Sequence, residues 1–463
     1  MLVTRKKPEV ASPTVFTIKC PYCFKSFEPG DVHFRASAPK HYAVHPQTGE
    51  RTLREDSIVD KNLADYYRQF GRQAPRRFPV IAPNGGMTGD EYIGLALGGE
   101  PIEYRDGVMY SVVDEFGNES EKRLCPFCHN DLPKSAGFTK SYTIAFAGDT
   151  AVGKTVYMTT LINRLMFLDD GFKSMLMPLT SAVSDKYDTY YFTPMYKEGL
   201  LPEHTHVNEV VEPLIYELRM GINRVNGDNV ADKTVTLTFY DVAGDGIKNA
   251  DYVNTRARHL KYADAFIYMV DPMQTGAAQR LAALNSNAGA DYIIGRGDAV
   301  KILESFFTQD IDFKDKPTAI VLTKSDLLKS TESTQRYFSS DSSIYKQCEH
   351  KGWLDAAQVE TINGEVHNFF GITAPLFRKN VDFMFNNVKY FAVSALGGPT
   401  ETVNVDGIDR KKIMNGIPQE IRVEEPFLWI LSQLGIISDQ PPEEKPQTSN
   451  GGGGLFRKLF SKQ

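Results

Sequence analysis

At 463 residues the chain has room for two or three domains of about 150 residues each. Its composition is that of an ordinary globular protein, and its formal net charge of -6 argues against the basic footprint of a nucleic-acid binder. Five cysteines cannot staple so long a chain as a disulfide scaffold, and no apolar run reaches the ~18–20 residues that cross a bilayer. Arg5, Lys6 and Lys7 are not followed by the apolar core of a secretion signal, so a cytoplasmic location is expected.

The first region, residues 1–136, carries two near-identical knuckles, Cys20-Pro21-Tyr22-Cys23 and Cys125-Pro126-Phe127-Cys128. Each follows a short extended run, 14–19 and 122–124. A two-residue gap lets both thiolates of a knuckle face one ion, and two knuckles complete a tetrahedral sulfur site for zinc. Four sulfurs leave no open position, so the expected role is structural. Two redox pairs or plain buried cysteines are the competing readings, and the matching proline and aromatic favour a shared site. The wide separation of the pairs implies a small zinc-ribbon-like module with an inserted subdomain. His129 is expected to be an exposed neighbour, and Cys348 an isolated thiol. Arg68, Arg72, Arg76 and Arg77 make the insertion locally basic, but such a run is usually solvated surface, and nucleic acid is disfavoured as a partner.

Residues 137–435 alternate short apolar runs with longer helical patterns, as a parallel sheet wrapped by helices does. Strands are predicted over 141–147, 213–220, 234–240, 265–270, 318–322 and 390–393. The second and third form a hairpin around Asn226, Gly227 and Asp228. The fold class is α/β of the P-loop NTPase kind, a six-stranded mostly parallel sheet with one antiparallel edge strand. Helices are predicted over 156–167, 291–307 and 424–434.

Directly after the first strand stands Gly148-Asp149-Thr150-Ala151-Val152-Gly153-Lys154-Thr155, a complete Walker A motif. Its glycines let successive amides turn toward phosphate oxygens, and the helix that follows adds its positive end. Lys154 is placed to reach the β- and γ-phosphates, and the Thr155 hydroxyl to bind magnesium. Asp241-Val242-Ala243-Gly244 ends the strand 234–240. Asp241 suits the hydration shell of magnesium, and the Gly244 amide suits a γ-phosphate. Thr323-Lys324-Ser325-Asp326 follows the strand 318–322. A carboxylate at Asp326 accepts from both N1 and N2 of guanine, a donor pair that adenine lacks, while the Lys324 stem packs along the base. Ser394-Ala395-Leu396 follows the last strand, a position from which the Ala395 amide could donate to a guanine O6.

In this order the four motifs resemble the nucleotide domain of the Ras-like GTPases, in the translation-factor-related (TRAFAC) class. The resemblance implies GTP and magnesium as cofactors, with Lys154 and Gly244 on the phosphates. It also implies a threonine that closes over magnesium before the second strand; Thr205 is the candidate and Thr193 the runner-up. Two departures stand out. Thr323 replaces the usual Asn, and Asp245 occupies the position where Gln or His often orients the attacking water. Binding is therefore expected more firmly than fast hydrolysis. The stretch before the second strand, with Tyr187, Tyr190, Tyr191, Phe192 and Tyr196, reads equally as a switch loop or as a helical insertion on the core.

With its cysteine module the chain resembles bacterial GTPases of the double-GTPase type. That implies a switch in a multiprotein system, with other subunits, a second GTPase among them, as partners and defence as one setting. Residues 436–454, with Pro441, Pro442, Pro446 and four glycines from Gly451, read as a disordered linker. In the tail, 455–463, Leu455, Phe456, Leu459 and Phe460 oppose Arg457, Lys458 and Lys462, which suits a membrane surface or a partner groove. A non-hydrolysing scaffold, a zinc-dependent nucleic-acid adaptor with a GTP sensor and an ATPase are the other readings.

Overall fold

The computed structural model describes residues 15–45, 47–85, 92–167, 171–203, 212–221, 223–225, 228–230, 233–240, 249–255, 257–275, 299–308, 311–329, 337–348 and 350–441. The main sheet contains β1 (Ser141–Ala147), β2 (Met175–Pro178), β3 (Leu214–Met220), β4 (Lys233–Phe239), β5 (Ala265–Val270), β6 (Thr318–Leu322) and β7 (Val388–Ala392). Their spatial order is β2-β3-β4-β1-β5-β6-β7. Pairing is parallel from β4 through to β7, and β3 runs antiparallel to both of its neighbours.

Every residue of β5 and β6 is buried. Such unbroken apolar runs are what a sheet covered on both faces requires. Along β1 the side chains alternate between two cores. Ile144 and Phe146 meet α1 (Lys154–Met166) and α8 (Glu425–Gln433) through Tyr157, Leu161, Phe427 and Ile430. Ala145 and Ala147 face α6 (Ala356–Thr373) and α7 (Pro375–Met384) through Val366, Phe370 and Phe377. The Asp355 carboxylate caps α6, accepting from the amides of Ala357 and Gln358.

The sheet has seven strands among the described residues, not six, and its antiparallel strand is not at the edge. The extra strand β2 is four residues long and lies beyond β3. The stretch around it forms α2 (Ser181–Tyr187), which continues as a π-helix, Asp188–Glu198, and buries Tyr187, Tyr191 and Met195. This is the helical insertion packed on the core. A hairpin not read from sequence, Thr400–Val405 with Ile408–Ile413, reaches back to that insertion. Arg410 Nη2 donates to the Leu201 carbonyl, and the Leu201 amide donates to the Lys411 carbonyl.

A buried ionic cluster ties α8 to α1. Arg164 Nη2 lies 2.7 Å from Glu424 Oε1, with His350 Nε2 at 3.7 Å. Burial by itself would raise the Glu424 carboxyl, but hydrogen bonding from His350 and Arg164, with the Arg164 charge, outweighs it and holds the group at about 2. A carboxyl depressed from an ordinary 4.5 contributes stability that is fully present above that pH and lost as pH falls toward 2. The shift corresponds to about 3 kcal/mol at a side chain 1% exposed. Glu424→Gln is expected to flatten the acid limb of a denaturant-measured stability profile by roughly that amount.

The first region folds around its own core. A four-stranded sheet holds Arg123–Leu124, His33–Arg35, Val80–Ile81 and Tyr92–Ile93 in that order, beside a three-stranded one over 102–120. Phe34, Ile81, Met109, Val112 and all four knuckle cysteines are buried together.

Candidate functional site

The glycine-rich loop lies between the carboxyl end of β1 and α1, at the centre of the parallel strands, where open α/β sheets bind ligands. Gly148 has φ +147, and a Cβ there would lie 2.6 Å from the Met269 carbonyl oxygen. Ala151 at φ 64 and Gly153 at φ 92 are also left-handed, so three positions turn the backbone inward. Lys154 is buried and folds over the loop, donating to the carbonyls of Gly148 and Asp149 at 2.9 Å each. The Asp149 carboxylate accepts from the Thr150 amide at 2.8 Å. Val152 packs into the core, and Thr155 sits in the first turn of α1.

The third motif is fastened to the loop. Lys324, at φ 51, sends its Nζ to the Ala151 carbonyl at 2.9 Å and to Asp271 Oδ2 at 2.5 Å. Asp326 accepts from the Ser394 hydroxyl at 2.5 Å, which joins the third motif to the fourth. Burial raises the Asp326 carboxyl above its ordinary value, and the Ser394 hydroxyl offsets only part of that. Thr323 donates by amide, at 2.9 Å, and by hydroxyl, at 3.3 Å, to the Val270 carbonyl, so it fixes the loop to the end of β5. Ala395 packs against the α1-side core, and the Leu396 carbonyl accepts from the Gln419 amide.

Asp271 was missed in the sequence. It follows β5 directly, caps a short helix by accepting from the Met273 amide, and holds Lys324. An acid one position past a buried strand was the available signal. Asp241, Gly244, Asp245 and Thr205 lie outside the described residues. The strand before Asp241, β4, runs beside β1 in the same direction, with Thr143 opposite Thr238. Thr193 lies within the π-helix.

The four cysteines converge although their pairs are far apart in sequence. Their sulfurs all lie within 4.8 Å of one another, with Cys20 to Cys128 and Cys23 to Cys125 each at 3.7 Å. A Zn–S bond of about 2.3 Å gives a tetrahedral edge of about 3.8 Å, so the set fits one ion. The two knuckles have the same backbone. Phe24 donates by its amide to the Cys20 carbonyl and His129 to that of Cys125, and both residues have positive φ, 62 and 51. The spacing is far from that of a disulfide, about 2.05 Å. Burial pushes the Cys20 and Cys128 thiols well up, so charged sulfurs here need a cation beside them.

His129 is buried, not exposed. Its Nδ1 meets Asp60 Oδ1 at 2.7 Å and its Nε2 meets His33 Nδ1 at 3.1 Å, while Arg35 pairs with the other Asp60 oxygen at 2.8 Å. This polar chain braces the second knuckle from behind. The basic run of the insertion is largely neutralised: Arg68 pairs with Asp65, Arg72 with Glu212 and Arg76 with Asp56. Cys348 is buried and donates to Gln358 Oε1.

A central parallel strand entering a glycine-rich loop and a helix, with the lysine folded over that loop, is the strand–loop–helix arrangement of an α/β P-loop fold. No protein-family model matches the chain. It is 25% identical over 334 residues to a protein of Mycolicibacterium smegmatis provisionally named ESX-1 scaffolding and assembly protein SaeC, covering 68% of this chain and 80% of that one. Among solved structures, the Arl6 (BBS3) small GTPase of Trypanosoma brucei is 11% identical, with 64% of this chain and 99% of that one covered at a TM-score of 0.25. A nucleolar GTP-binding protein 1 of Plasmodium falciparum is also 11% identical, with coverage of 66% and 90% and a TM-score of 0.26. Among the described residues no helix is long and apolar enough to cross a membrane.

Proposed function

We propose that the chain is a GTP-binding molecular switch that works within a protein assembly and turns GTP over slowly unless a partner assists. The observation that carries this reading is the ring of contacts at the base side. Lys324 bridges the Walker A loop and Asp271, while Ser394 aims the Asp326 carboxylate. In this reading Asp326 accepts from guanine N1 and N2, the Lys324 stem packs on the ring, and the Ala395 amide donates to O6. Lys154 exchanges its two carbonyl partners for phosphate oxygens, and the amides of 148–155 line the remaining oxygens. Thr155 and Asp241, with Thr205 from the preceding stretch, hold magnesium, which supplies charge neutralisation at the β- and γ-phosphates. Gly244 contacts the γ-phosphate.

Zinc at Cys20, Cys23, Cys125 and Cys128 is structural in this reading, since four sulfurs complete its shell. The module–GTPase–linker–tail division at 136, 435 and 454 is retained. Assembly partners are supported by the name of the M. smegmatis relative, which calls it a scaffolding and assembly protein; a scaffold that holds GTP unhydrolysed is the second reading. A defence setting, a second GTPase as partner, a cytoplasmic site and tail docking rest on the sequence and its resemblances alone.

Calorimetric titration with GTP, GDP, ATP and ITP tests the reading, with Lys154→Ala as the negative control. GTP and GDP are expected to bind, and ATP and ITP at least ~100-fold more weakly, since each lacks the full donor pair at Asp326. Equal uptake of all four, or of none, refutes the proposal. With Asp245 after Gly244, single-turnover hydrolysis by the isolated chain is expected at or below about 10⁻² per second. A rate of several per second removes the slow-turnover part.

A further inference from the structure

The first cysteine knuckle lies against the nucleotide domain. The Tyr240 hydroxyl donates to the Pro21 carbonyl at 2.8 Å, and Pro21 stands between Cys20 and Cys23. Tyr240 is the last residue before Asp241. Phe24, one position past Cys23, stacks on Tyr262 at 5.4 Å between ring centroids and leans on Tyr240 at 5.8 Å. Lys19, one position before Cys20, donates to the Tyr262 carbonyl at 2.5 Å and pairs with Asp264 at 3.0 Å. Tyr262 ends α4 (His259–Tyr262), and Asp264 leads into β5. Both flanks of the chain that carries Asp241-Val242-Ala243-Gly244 are thus fastened to one metal knuckle. The departing flank is held through Tyr240, and the returning flank through Tyr262 and Asp264.

The seam holds an unusual group. His259 stacks on Tyr240 at 4.3 Å with a 6° interplanar angle, is 1% exposed, and has no hydrogen-bond partner for either ring nitrogen among the described residues. Burial lowers its imidazole to about 3, so it is neutral. A buried polar group without partners is costly, so His259 marks the seam as a place held together by packing and not by its own hydrogen bonds.

We propose that this seam couples the cysteine site to the nucleotide site, so that the phosphate state of the bound nucleotide changes the affinity of the four cysteines for their metal. The proposal rests on the GTP-binding reading. Tyr240 stands one residue before Asp241, which the proposed function places on magnesium, so the chain itself joins the nucleotide site to the seam. The Tyr240–Pro21 hydrogen bond and the Phe24–Tyr262 stack continue that link to the carbonyl between two ligands. Coupling of this kind is reciprocal: whatever nucleotide does to metal affinity, metal does equally to nucleotide affinity.

The test uses the full chain with magnesium. Zinc affinity is measured by equilibrium competition with a chromophoric chelator, with GDP or a non-hydrolysable GTP analogue bound, and nucleotide uptake is confirmed by calorimetry. The expected result is a difference of about fivefold or more between the two nucleotides in the wild type. In Tyr240→Phe and, separately, Lys19→Ala the difference is expected to fall below about twofold. Lys19 is partly exposed, so its variant serves if the tyrosine variant fails to fold. Nucleotide bound with equal zinc affinity in both states overturns the coupling and leaves the GTP-binding reading standing. Undiminished coupling in the variants overturns this seam as its route. Failure to bind either nucleotide overturns the GTP-binding reading, and the coupling with it.

Discussion

Asp326→Asn is expected to lower GTP affinity roughly 100- to 1000-fold while affinity for xanthosine triphosphate rises. The substitution replaces one acceptor oxygen with a donor. Against guanine, that NH₂ meets the N2 amino group, donor against donor, and a charge-assisted hydrogen bond is lost from a largely desolvated position. Against xanthine, whose C2 bears a carbonyl, the same NH₂ finds an acceptor. The fold should survive, because Ser394 retains an acceptor at Oδ1. Calorimetry with both nucleotides checks the exchange. Loss of GTP without gain of xanthosine triphosphate means that position 326 acts on structure and not on the base.

Metal removal is the second large effect. Apparent binding free energies for structural zinc are about 10–16 kcal/mol, as large as the whole stability of a typical domain. The cysteines form part of the core of their module, beside Phe34 and Met109, so the ion and that core are not separable. Chelation under reducing conditions, or Cys125→Ser, is expected to unfold residues 15–136 and expose the face of Tyr240 and Tyr262. Native mass spectrometry should find one zinc per chain before treatment, and hydrogen exchange should locate the loss of protection. Amides of 16–36 that stay protected in the metal-free chain would contradict a structural role.

The parts of the site that could be read from sequence are those whose chemistry is contiguous. The run from Gly148 to Thr155 needs no partner from elsewhere to be recognised, and the knuckles announce themselves by repetition. Contacts between motifs could not be read. Nothing local to Asp271 says that it will hold Lys324, because the two meet only when β5 and β6 lie side by side. The sequence places His129 at the surface beside a knuckle already complete with four sulfurs, yet Asp60 and His33 satisfy both of its nitrogens inside. β2 was missed because four residues, two of them exposed, carry too little periodicity. The insertion that contains it reads from sequence equally as loop or helix. Its tyrosines resolved the choice, since Tyr187 and Tyr191 supply apolar surface that the core takes up.

The separation of 102 positions from Cys23 to Cys125 also matters on the ribosome. At about 5–20 residues per second, the first two thiols emerge some 5–20 seconds before the second pair exists. During that interval they have no tetrahedral mate and are open to oxidation or to a stray ion. Translation pauses or oxidative stress should thus yield a misfolded fraction in newborn chains that mature ones resist.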